Sequence, residues 1–140
     1  MVHLGRFELL EHTADVGLVA YGADLSDAFA AAAEGLFSII ADLTTVKETI
    51  SYRVEVTASD IESLLVEWLN ELLFLFDTQN VLLRRFEVQV MPPTHLVGQA
   101  WGERYDPARH RLNLGVKAAT YHGISVQSNG EVRLQVILDV

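Results

Sequence analysis

The sequence predicts an α+β domain in which two amphipathic helices pack on a mostly antiparallel sheet of about seven short strands. Three observations carry this expectation. Two stretches repeat apolar residues every three or four positions, the remaining apolar stretches are short and strand-like, and no regular alternation of strand and helix is present. The last point argues against a parallel-sheet nucleotide fold. With 140 residues, half of them hydrophobic, one sizeable core is within reach and two ordinary domains are not, so residues 1–140 are expected to form a single domain.

Taken in order, residues 6 to 11 and 16 to 21 read as two strands separated by His12-Thr13-Ala14-Asp15 and closed by Gly22. From Ser26 to Ala41, the residues Phe29, Ala32, Ala33, Leu36, Phe37 and Ile40 define one face of a helix, with Asp24 or Ser26 as its N-cap. Ser51 to Ala58 alternates, setting Tyr52, Val54 and Val56 against Arg53, Glu55 and Thr57, which predicts a strand with one buried face. A second helix begins at Ser59 or Asp60 and turns Ile61, Leu64, Leu65, Trp68, Leu69, Leu72 and Phe76 inward. Beyond Asn80 the pattern changes to strands: Val81 to Met91, a turn at Pro92-Pro93, His95 to Tyr105, Gly115 to Tyr121, Ile124 to Gln127 and Val132 to Val140.

Composition narrows the chemistry. A formal net charge of -9 argues against direct binding of nucleic acid, because phosphate contacts rest on clustered Lys and Arg. An excess of carboxylates suits docking on a basic protein or holding a hard cation, and also simple solubility. The absence of cysteine removes disulfides, thiolate nucleophiles and Cys-ligated zinc. The start of the chain lacks the basic flank and long apolar stretch of a signal peptide, and the apolar run from Leu72 to Phe76 is too short for a bilayer. A cytoplasmic protein with no membrane partner is expected, as a monomer.

Few residues offer chemistry. His12-Thr13-Ala14-Asp15 places an imidazole and a carboxylate in a tight link, although Asp and Thr also stabilise turns by bonding nearby backbone. Asp139 ends an apolar strand, and if that strand lies beside the one that Asp15 begins, two carboxylates converge and either share a proton or bind a cation. Such oxygen donors, completed by backbone carbonyls, the terminal carboxylate of Val140 and water, select Ca2+ or Mg2+ over softer metals. A zinc site built from His12 with His110 or His122 lacks any known ligand spacing. Lys117, the only lysine after residue 47, falls in a strand-like segment and is either a partner for Asp15, Asp139 or a phosphate, or an ordinary surface lysine. No glycine-rich phosphate loop, nucleophile elbow or HExxH helix is present.

The ordered segments Glu11-His12-Thr13-Ala14-Asp15-Val16-Gly17, Ala20-Tyr21-Gly22 and Leu64 to Leu73 closely resemble those of the archease family. So do Tyr105-Asp106-Pro107 with His110, Val116-Lys117-Ala118, Thr120-Tyr121-His122 and Leu138-Asp139-Val140. The resemblance runs nearly end to end. It implies an accessory protein rather than an enzyme, one that activates a GTP-dependent RtcB-type RNA ligase by promoting its guanylylation and multiple turnover in tRNA splicing and RNA repair. It further implies that the carboxylates of Asp15 and Asp139, with Val140 beside them, bind a divalent cation, Ca2+ first and Mg2+ or Mn2+ next, and that Lys117 and His12 face the partner. The chain departs from the family pattern at Arg111-Leu112-Asn113-Leu114-Gly115, where many relatives carry proline, glycine and a Thr-Glu pair, so an acidic neighbour of Lys117 is missing. Two readings of other classes compete: a general chaperone without a dedicated ligase, and a small metal-dependent hydrolase using His12 as general base beside Asp15.

Overall fold

In a computed structural model, residues 5–11 and 15–140 are described. Their elements run β1 (Arg6–Glu11), β2 (Asp15–Gly22), α1 (Leu25–Ile40), a 3-10 turn (Leu43–Thr45), β3 (Ile50–Thr57), α2 (Ile61–Gln79), β4 (Val81–Met91), β5 (His95–Arg104), β6 (Ala118–Asn129) and β7 (Glu131–Asp139). The expected α+β class holds. The seven strands are distributed over two antiparallel sheets, one of four in the order β1-β2-β7-β6 and one of three in the order β3-β5-β4.

Helix α1 starts where the Asp24 carboxylate accepts the Asp27 N–H at 2.8 Å, while Asp27 reaches back to the Ala23 N–H at 3.1 Å. The first bond satisfies a donor that the helix itself leaves open, and the second ties the residue before the cap to the first turn. The helix lies between the two sheets, with twelve buried residues reaching nearly around its circumference. Small residues let it lie close to its neighbours: Ala30 to Ala33 are buried, and a Cβ at Gly35 would stand 2.6 Å from Leu18 Cδ1 of β2. Bulk returns at Phe29, Leu36 and Phe37, which are fully buried.

Helix α2 is capped by Asp60, which accepts the Ser63 N–H at 2.7 Å. It stops at Asn80, whose left-handed conformation (φ 55°) closes the last turn through its N–H to the Phe76 carbonyl at 3.0 Å. Leu64, Leu65, Trp68, Leu69 and Leu72 are buried as the periodicity predicts, whereas Ile61 and Phe76, nearer its ends, are half-buried and pack on the rim of the core. Trp68 joins three elements. Its Nε1–H donates to the Phe29 carbonyl of α1 at 3.1 Å, its ring meets Phe86 of β4 edge-on at 6.4 Å, and Gly98 of β5 leaves room for it, since a Cβ there would lie 2.7 Å from the indole.

The connection after β5 differs from the predicted pattern. Strand β6 begins at Ala118 rather than Gly115, and the two segments expected at 115 to 121 and 124 to 127 form one strand with an irregularity between Thr120 and Ser125, where Gly123 takes φ +66°. Residues 111 to 117 form a tied loop, which takes in the first three residues of the expected strand and is fixed by the bridge of Leu112 to Ala41 and by the Asn113 N–H to the Ile40 carbonyl at 2.8 Å. No described helix is long and apolar enough to cross a membrane.

Candidate functional site

Strand β7 runs antiparallel to β2 in a register that makes Asp15 and Asp139 direct cross-strand partners. Directly opposed residues project from the same face of the sheet, with Cβ atoms about 4.5–5.5 Å apart. By strand alternation that face is the one carrying Gly17 and Ile137, opposite to the face on which Leu18 and Leu138 join the core under α1. Both aspartates and Val140 are half-buried. The two aspartates stand opposite each other because β7 is inserted between β2 and β6, a long-range pairing that neither segment encodes locally.

Lys117 reaches the same end of the sheet from the other side of β7. Ala118 pairs with Asp139, and the Lys117 N–H donates to the Asp139 carbonyl at 2.8 Å. Lys117 is exposed, and it sits on the tied loop just before β6 rather than inside a strand. His12 belongs to the link between β1 and β2 and lies outside the described residues. Asp15, Asp139 and the segment bearing Lys117 therefore gather at one corner of the four-stranded sheet.

Two opposed carboxylates offer hard oxygen donors, which suit a hard cation that retains several water ligands. They do not fit a closed zinc site, which takes three or four nitrogen or sulfur ligands. Among the described residues no group of three or more His, Cys, Asp or Glu side chains converges to hold a metal. His110 is removed from any zinc pairing: it is buried, its Nδ1 accepts the Asp106 N–H at 2.8 Å, and its Nε2 meets Glu103 Oε1 at 2.7 Å. With Nδ1 accepting, the proton resides on Nε2, which donates to the carboxylate.

That carboxylate anchors the loop leading to Lys117. Glu103, buried at the end of β5, accepts from the Lys47 N–H at 3.0 Å and from Arg109 at 2.6 Å as well as from His110. Burial pushes its pKa up, and the bonds from Lys47, Arg109 and His110 outweigh burial, leaving it lowered from 4.5 to about 2. Because the folded value lies below the unfolded one, the stability this group contributes is fully present above pH 4.5 and is lost as pH falls through about 2. The contribution is on the order of 3 kcal/mol. Urea midpoints measured from pH 7 down to pH 3 should fall for the wild type and show a flatter acid limb, from a lower starting value, for Glu103→Gln. Parallel limbs would remove this network from the pH dependence. Nothing in the spacing of Glu103, Arg109 and His110 announced it, since a turn at Asp106 to His110 is what brings them together.

An opposed aspartate pair at one corner of the four-stranded sheet marks a small α+β protein class built on two antiparallel sheets. Comparison with known proteins gives that class its family. Residues 7–140 match the family model described as the Archease protein family (MTH1598/TM1083), and the chain belongs to the archease family. It is 39% identical over 138 residues to the archease of Saccharolobus islandicus, covering 96% of this chain and 98% of that one. The archease of Sulfolobus acidocaldarius is 35% identical over 137 residues, covering 96% and 99%. The solution structure of Methanobacterium thermoautotrophicum protein 1598 superposes with a TM-score of 0.84 at 38% identity, covering 96% of this chain and 98% of that chain.

Proposed function

We propose that this archease is an accessory protein that activates a GTP-dependent RtcB-type RNA ligase, promoting its guanylylation and repeated turnover in tRNA splicing and RNA repair, and that it is not itself an enzyme. The observation that carries the reading is the family match across residues 7–140. The corner of the sheet supplies the working surface. Asp15 and Asp139, with the main-chain oxygens of Val140, hold a divalent cation there, Ca2+ first and Mg2+ or Mn2+ next, and Lys117 and His12 face the partner. When bound, the cation supplies a fixed positive charge against which phosphate oxygens or a partner carboxylate can be oriented.

The chain's own residues contribute placement. The opposed aspartates hold negative charge in a fixed geometry on a rigid strand pair, and the exposed Lys117 ammonium stands ready to meet a phosphate or carboxylate of the partner. The net charge of -9 directs docking toward a basic protein surface and leaves contact with RNA to the ligase.

The test is guanylylation and multiple-turnover joining by a cognate RtcB-type ligase, with GTP and divalent metal, with and without the protein and its Asp15→Ala variant. Continued turnover with the wild type and arrest with the variant are expected. A ligase indifferent to the intact protein would overturn the reading, as would phosphoester turnover by the protein alone.

A further inference from the structure

Strand β6 is an edge strand, paired on one side with β7 and on the other with no strand among the described residues. At its first turn-in, just after Lys117, the open side is closed by a side chain. Asn70 of α2 accepts the Ala119 N–H on Oδ1 at 2.8 Å and donates from Nδ2 to the Ala119 carbonyl at 3.1 Å. A carboxamide carries the same donor and acceptor as a peptide unit, so Asn70 substitutes for the missing neighbouring strand at that one residue. Ala119 is itself buried and Asn70 half-buried, so this pairing is not a solvent-exposed accident of the surface.

Two residues earlier the Lys117 N–H is held by the Asp139 carbonyl, and between them Ala118 pairs with Asp139. The backbone from 117 to 119 is thus pinned from both sides, to β7 by Lys117 and to α2 by Ala119. Upstream, the next described backbone tie is the Asn113 N–H to Ile40, leaving 114 to 116 to follow whatever the pinned end dictates. Leu114 and Gly115 in that stretch are exposed, and a Cβ at Gly115 would touch nothing. Packing therefore does little to fix the approach to Lys117 at those two positions.

We propose that Asn70 is a positioning residue for Lys117: its two bonds to Ala119 fix the start of β6, and with it the place of the Lys117 ammonium relative to Asp15 and Asp139. The functional half of this rests on the ligase-activation reading, and the structural half does not. Its geometry also sets which substitutions are informative. Asn70→Asp keeps an acceptor for the Ala119 N–H and loses the donor to its carbonyl, whereas Asn70→Ala loses both.

Amide hydrogen exchange followed by NMR separates the two halves. In Asn70→Ala, exchange at Ala119 and Lys117 should accelerate roughly tenfold or more while amides of Leu64 and Val136 keep their rates. Asn70→Asp should fall between Ala and wild type at Ala119. Unchanged exchange at Lys117, or equal acceleration throughout the core, overturns the proposal. In the ligase assay Asn70→Ala should lose as much stimulation as Lys117→Ala, and the double variant should lose no more than either. Full stimulation by Asn70→Ala overturns the functional half. If the wild type stimulates no ligase, the ligase reading falls, and local acceleration at Lys117 and Ala119 still upholds the structural assignment.

Discussion

Trp68→Ala should cost the fold about 3–5 kcal/mol, a third or more of what holds a typical domain of this size together. The indole is fully buried, and its removal opens a cavity bounded by Phe86, Gly98 and the backbone of Phe29, where α1, α2 and the three-stranded sheet meet. It also takes away the donor to the Phe29 carbonyl, so the loss combines a packing term with a hydrogen bond. Trp68→Phe retains most of the apolar contact and should cost less. Gly98→Ala tests the same pocket from the opposite wall, because the new methyl would meet the indole at 2.7 Å, and overpacking of this kind costs typically 1–3 kcal/mol. Urea denaturation with an unchanged m-value is the measurement. A Trp68→Ala loss below about 1 kcal/mol would mean that the indole does not join α2 to the sheet as described.

The helices were legible because a 3.6-residue repeat is a local property, and Asp24 and Asp60 announced their starts by the chemistry of capping. Strand pairing was not legible in the same way. A two-residue alternation marks a strand but carries no information about its neighbour, so the division into two sheets and the insertion of β7 between β2 and β6 could only come from three dimensions. The start of β6 misled for a related reason. Gly115 to Lys117 continue the pattern of the strand that follows, yet they belong to a loop held by Leu112 and Asn113 at the end of α1 and by the Lys117 N–H to the Asp139 carbonyl. The site itself was half legible: Asp15, Asp139 and Lys117 stood out as residue types, and their meeting at one corner depends on the β2-β7-β6 order. Asn70 gave no signal at all, since its role is fixed by a strand nearly fifty positions later.

The sharpest consequence of that meeting is a stability effect that changes sign with divalent cation. Like charges directly opposite on a sheet repel, so in chelator Asp139→Asn or Asp15→Asn should leave the melting temperature unchanged or raise it. With Ca2+ the order should reverse. A cation that binds only the folded protein stabilises it by about 2.7 kcal/mol at one hundred times its dissociation constant, a rise on the order of 10 °C for a domain of this length. Either Asn variant should lose most of that rise, because a single remaining carboxylate neither matches the charge nor fixes the geometry of a hard cation. Titrations with Ca2+, Mg2+ and Mn2+ should rank the three by the size of the shift. Equal shifts in wild type and both variants would place the cation elsewhere, and the absence of a shift with all three ions would leave the opposed aspartates as an uncompensated repulsion. The repulsion is the physical reason to expect a cation: a sheet that sets two carboxylates face to face bears a cost that a bound cation offsets and that Asn at either position removes.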